Sequence, residues 1–151
     1  MDIRFNDTQP ANASAQTLFE VITDYTHYPN FNPSATNVAV LRKDNSGAEF
    51  RATMNRKIGP THVHVFDQYQ IDGTVFKIQR TYDEIDGSST WIARPAGQGR
   101  STLTINGTMR FSPLRALVMK LLSKRIMHGT DFEPFIAEAE RRQEAGSRRA
   151  A

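Results

Sequence analysis

The chain of 151 residues has no cysteine, which excludes disulfides and thiolate metal sites together. It has no apolar run long enough to cross a bilayer, and its opening residues, MDIRFNDTQP, lack the basic and apolar segments of a secretory signal. A cytoplasmic protein without membrane insertion is the expectation. No glycine-rich phosphate loop and no Gly-x-Ser-x-Gly elbow is present either. Charge of one sign is scarce: the formal net charge of +3 lies wholly in the tail, where Arg141, Arg142, Arg148 and Arg149 oppose Glu144. Residues 1–140 are therefore balanced, and with no patterned basic groove a nucleic-acid partner is not expected.

What is present is a change of texture along the chain. Ile3 and Phe5 alternate with polar residues and predict a strand over about residues 2–9. A helix follows, capped by Asn12 or Ser14, with Ala15, Leu18, Val21, Ile22 and Tyr25 on one face. Pro29 and Pro33 disfavour its continuation past Tyr25, with one more short helical turn between them. From Thr36 to Phe111, turn signals at 44–47, 58–61, 72–74, 86–89 and 95–99 delimit six strands. Connections this short join antiparallel neighbours, so the segment reads as a curved meander.

The stretch from Pro113 to Arg142 has helical periodicity, with Leu114, Leu117, Val118, Leu121, Phe132, Phe135, Ile136 and Ala139 on one stripe. Lys120, Lys124, Asp131 and Glu138 turn away from it, whereas Arg125 and His128 fall inside it. Gly129 and Pro134 predict a kink or restart near Thr130, which has capping-box spacing to Glu133. The resulting expectation is one α+β domain over residues 1–142. A seven-stranded antiparallel sheet wraps around a long, bent carboxy-terminal helix that covers a cavity. Residues 143–151 read as a polar, disordered tail.

Alternation assigns Phe50, Ala52 and Met54, then Phe76, Ile78, Arg80 and Tyr82, then Leu103, Ile105, Met109 and Phe111 to the inner face, with Trp91. The strand over 61–71 is ambiguous. Val63, Val65, Asp67 and Tyr69 are preferred inside over His62, His64, Phe66 and Gln68, since this buries both valines and leaves both histidines in water. Asp67, Tyr69, Arg80, Tyr82, Arg125 and His128 then share an otherwise apolar interior. Such a set suits a ligand cavity better than a plain core. His62 and His64 form an HxH pair, but two ligands without a third do not make a metal site. No metal or cofactor is expected.

Leu18-Phe19-Glu20-Val21-Ile22-Thr23-Asp24-Tyr25, followed by Tyr28-Pro29 and Phe31-Asn32-Pro33 ahead of the meander and last helix, resembles the START and pollen-allergen superfamily of helix-grip proteins. It is most similar to the bacterial branch labelled polyketide cyclase/dehydrase and lipid transport, over about residues 2–142. The resemblance implies a deep apolar pocket between sheet and final helix. Its members range from lipid and sterol carriers to hormone receptors and aromatase/cyclases, so it implies no single activity.

Two functions compete. A carrier of a hydrophobic small molecule would line its pocket with Phe50, Met54, Phe76, Ile78, Trp91, Leu103, Met109 and Leu121. Tyr69, Arg80, Arg125 and His128 would hold the polar end of the ligand. A polyketide-type cyclase or dehydratase would use His128 to move a proton, Asp67 to orient it, and Arg125, Tyr69 or Tyr82 to hold an enolate. Met119, Ile126 and Met127 on the helix's outer side would seat a second subunit or rest on the first helices, so monomer and homodimer both stay open.

Overall fold

The computed structural model describes residues 2–56, 59–83, 87–110, 114 and 133–150. Strand β1 (Asp2–Ala11) opens the chain, with Phe5, Asp7 and Gln9 half-buried and Arg4, Asn6, Thr8 and Pro10 exposed. The period of two makes this a strand with one face turned inward. Helix α1 (Ala15–Ile22) starts at Ser14, whose Oγ accepts from the Thr17 backbone N–H at 3.1 Å. Of the two candidate caps, Ser14 is thus the one used. Ala15, Leu18, Val21 and Ile22 are buried on the inner face of α1. Thr23 closes the helix through Oγ1 to the Phe19 carbonyl at 2.8 Å. A 3-10 turn (Tyr25–His27) and the short helix α2 (Tyr28–Phe31) follow, with Pro29 in the first turn of α2, where its missing N–H costs nothing.

Six strands complete the sheet: β2 (Ala35–Lys43), β3 (Gly47–Arg56), β4 (Gly59–Asp72), β5 (Val75–Tyr82), β6 (Gly87–Pro95) and β7 (Ser101–Arg110). Each pairs antiparallel with its neighbour in sequence, and β1 pairs with β7, giving the order β1-β7-β6-β5-β4-β3-β2. Strands β1 and β2 are the edges. β2 carries an irregularity between Thr36 and Ala39, with Asn37 at φ 52°. A bulge of this kind blunts an exposed edge. The β4–β5 turn needs Gly73 at φ 60°. Two glycines allow close approach: a Cβ at Gly47 would lie 2.1 Å from the Asp67 carbonyl oxygen, and one at Gly107 would lie 2.4 Å from the Ser88 oxygen and 2.6 Å from the Phe5 ring.

The concave face carries the core. Val63 and Val65 are buried and His62 is exposed, which settles the ambiguous strand in favour of the valine set. His64 departs from the expectation of a solvated histidine. Its side chain is only 14% exposed, packed 4.6 Å from the Phe66 ring and bonded through Nε2 to Glu49 at 2.7 Å, with Asp83 at 3.6 Å.

Helix α3 (Glu133–Ala150) closes the fold over α1 and α2. Phe135 sits against Tyr28 and Trp91, both at 5.2 Å, and Phe31 at 5.8 Å. Two readings of this helix need correction. Glu138 does not turn away: it is 7% exposed, because Arg141 donates to its carboxylate and Arg142 lies 3.7 Å away. Residues 143–150, read as a tail, continue the helix. Gln143 accepts from the Ser14 N–H at 2.6 Å and donates to the Gly99 carbonyl at 2.9 Å, tying α3 to the start of α1 and the β6–β7 turn. Leu117, Val118, Leu121, Arg125, His128 and the expected kink near Thr130 lie outside the described residues. The fold is α+β, of the helix-grip type.

Candidate functional site

Five side chains from four elements form a polar network on the concave face. Asp67 on β4 and Arg80 on β5 are directly opposed in the sheet register and are 3% and 5% exposed. Arg80 Nε donates to Asp67 Oδ1 at 2.8 Å and Nη2 to Oδ2 at 2.9 Å, a two-pronged ion pair. Nη2 also donates to the Tyr28 hydroxyl at 3.1 Å, which in turn donates to the Ile22 carbonyl. On the other side the Tyr25 hydroxyl donates to Asp67 Oδ2 at 2.7 Å. Since that uses Tyr25's one hydrogen, Tyr69 must be the donor in the 2.5 Å contact between the two hydroxyls. The chain of bonds thus runs from Tyr69 through Tyr25, Asp67, Arg80 and Tyr28 to backbone.

Apolar surfaces enclose this network. The Arg80 guanidinium lies 4.9 Å from the Trp91 ring and 5.5 Å from that of Phe50. Tyr25 stacks on Phe50 at 4.5 Å, and Phe19 of α1 meets Phe76 at 5.0 Å and Tyr69 at 5.3 Å. Burial sets the protonation states. It raises the Tyr25 hydroxyl far above the ordinary phenol range, with the Asp67 charge adding to the effect, and raises Tyr28 as well. Tyr69 is pushed up to about 12, chiefly by burial. Burial alone would lower Arg80, yet the charge of Asp67 and its bonds hold Arg80 well above its usual value. All three tyrosines are therefore neutral, and Arg80 is charged, at neutral pH.

The sequence-derived candidates divide accordingly. Asp67, Tyr69 and Arg80 come together. Phe50, Ile78, Trp91 and Leu103 are buried in the core, while Phe76, Met54 and Tyr82 are half-buried beside it. Leu121, Arg125, His128 and the Met109 side chain lie outside the described residues. Tyr25 and Tyr28 were missed as site residues, although both stand in the motif that carries the family resemblance. Asp7 and Gln9 on the inward side of β1 were missed as well; the alternation that places Phe5 inward was their signal. His62 bonds Thr53 at 3.1 Å, and among the described residues no three His, Asp or Glu side chains form a cation site.

The family described as polyketide cyclase / dehydrase and lipid transport matches residues 2–141. No curated protein sequence matches the chain. Among solved structures, the Zhui aromatase/cyclase from a Streptomyces species superposes with a TM-score of 0.77 at 17% identity, covering 94% of this chain and 96% of that one. Human STARD10 gives 0.76 at 10% identity, covering 96% of this chain and 66% of that one. A truncated norcoclaurine synthase from Thalictrum flavum gives 0.65 at 14% identity, with coverages of 93% and 91%. At these identities the likeness is one of fold. No described helix is long and apolar enough to cross a membrane.

Proposed function

The chain belongs to the polyketide cyclase / dehydrase and lipid transport family, and from that premise we propose that it binds or carries a hydrophobic small molecule. The ligand would be a lipid, polyketide or isoprenoid-like compound, held between the concave face of the sheet and the carboxy-terminal segment. The observation that supports a carrier over an enzyme is the closure of the Asp67–Arg80 network. Folding or dehydrating a polyketone needs a group that takes up and returns a proton near neutral pH. Asp67 already accepts three bonds, and Tyr25, Tyr28 and Tyr69 hold their protons against burial. These five groups form a polar floor fixed by its own hydrogen bonds, in which the tyrosines keep their protons at neutral pH. Phe5, Met54 and Tyr82 pack against the core and stay partly uncovered, so each offers apolar area that a ligand would bury.

Native mass spectrometry of the purified protein tests the reading: a copurified apolar compound is expected, and Met54→Trp, which adds bulk at a partly buried position of the inner face, should abolish it. The second reading, a cyclase or dehydratase, draws on the family's own description and on His128 and Arg125. Turnover of a poly-β-ketone analogue by ligand-free protein, lost in His128→Ala, would put the enzyme in the carrier's place.

A further inference from the structure

Resting on the binding reading above, we propose that Asp7 selects the polar end of the ligand, and that this end carries a hydrogen-bond donor, either a hydroxyl or an ammonium, in preference to a carboxylate. Asp7 pairs with Ile105 in the β1–β7 register, and Ile105 pairs with Trp91, so all three side chains stand on the concave face. Its own neighbours on that face are Phe5 and Gln9. A core-facing position in a strand calls for an apolar residue, and a carboxylate there needs an explanation.

The geometry supplies one. Asp7 Oδ1 accepts from the Thr8 N–H at 2.9 Å and Oδ2 from Gln9 Nε2 at 3.2 Å, both on its own strand. A carboxylate takes about four such bonds, and the described residues supply two, one to each oxygen. No cation pairs with it among the described residues. Two cations with described side chains stand on this face: Arg80 is committed to Asp67 and Tyr28, and Lys43, near the other edge of the sheet, donates to the Thr23 carbonyl at 2.7 Å. Neither cation reaches Asp7, which remains a half-buried acceptor between Phe5 and Gln9, opposite Ile105. A donor on the ligand would add a bond to it; a second carboxylate would meet repulsion.

A rival origin exists for an inward charge on this strand. β1 is an edge, and inward carboxylates deter edge-to-edge association. The test separates the two. Diphenylhexatriene, a hydrocarbon fluorophore with no hydrogen-bonding group, reports the site, and dodecylamine, dodecanol and dodecanoate compete for it. Dodecylamine is expected to displace the probe at a concentration at least about tenfold lower than dodecanoate, with dodecanol between them. Asp7→Asn should collapse that ratio towards one while leaving the affinity for the probe within about twofold; Asp7→Ala is the second variant should the first misfold. The inference is overturned if dodecanoate competes as well as dodecylamine in the unaltered protein. It is equally overturned if Asp7→Asn keeps the ratio, whether or not that variant self-associates. If the probe and all three competitors fail to bind, the carrier reading itself falls; if they bind without regard to Asp7, only this inference does.

Discussion

Removing Arg80 alone should cost the fold far more than removing Arg80 and Asp67 together. Arg80→Met takes two of the three donors from a carboxylate that is 3% exposed, leaving it only the Tyr25 hydroxyl. Breaking one side of a buried pair costs about 3–5 kcal/mol, because the other charge stays buried without compensation. Asp67→Leu does the same to Arg80. In the double variant both charges are gone, Tyr25 keeps its bond to Tyr69, and Tyr28 keeps its bond to the Ile22 carbonyl. What remains lost is one partner for each tyrosine, about 1–2 kcal/mol in all. Urea unfolding followed by circular dichroism reads this directly. With a slope of about 2 kcal/mol per molar, each single variant moves the midpoint down by about 2 M and the double by under about 1 M. The coupling should be insensitive to salt, since neither group meets bulk solvent. Additive losses, or an Arg80→Met cost under about 1 kcal/mol, would refute the argument that burial makes this pair an obligate unit.

Tyrosinate absorbance in the folded protein at a pH of about 10.5 should fall short of that in urea by the contribution of Tyr25, Tyr28 and Tyr69. Their folded pKa values are raised, so the stability they confer is complete below the ordinary phenol value and declines as pH rises past it. Asp24 has the opposite sign. Burial opposes its ionisation, but bonds from His27 and Arg142, both at 2.7 Å, lower its pKa, so its contribution is present above about pH 4 and is lost below. Asp24→Asn should remove that part of the acid sensitivity, at a cost of under about 1 kcal/mol near neutrality, measured by thermal unfolding at several pH values. Gln143→Ala should cost about 1–2 kcal/mol and speed hydrogen exchange at the start of α1, because it frees the Ser14 N–H and the Gly99 carbonyl. No change in exchange there would mean that residues beyond 142 do not belong to the folded unit.

The sheet was legible because both of its signals are local. Turn residues mark where the chain reverses, and a period of two marks which side chains share a face, so six strands and their inner residues follow without knowledge of what covers them. The choice of Val63 and Val65 over His62 and His64 followed from the burial of two valines. The helical end of α3 was harder to see. Its arginines looked like a solvated charge run, yet Glu138, Arg142, Glu144 and Arg148 fall at helical spacings where opposite charges meet, and the 2.6 Å bond from Arg148 to Glu144 is one of them. Glu138 was misplaced for the same reason. A glutamate on a wheel diagram counts as outward until the partners that neutralise it are known.

The polar interior teaches a different lesson, because the means to pair it were already in the sequence. A two-residue turn at Gly73–Thr74 sets Asp72 opposite Val75, and five equal steps back along each strand bring Asp67 opposite Arg80. Their inward parity was also in hand. Treated one at a time, each is an expensive buried charge that calls for a ligand; treated as cross-strand partners, they satisfy each other and call for none. An interior ionisable group therefore points to a ligand only where the register leaves it single. Asp7 faces Ile105, an apolar partner that offers it nothing. The inference about the ligand thus passes from Arg80, where its charge first drew it, to the edge strand, and changes sign on the way: the polar end of the ligand is a donor.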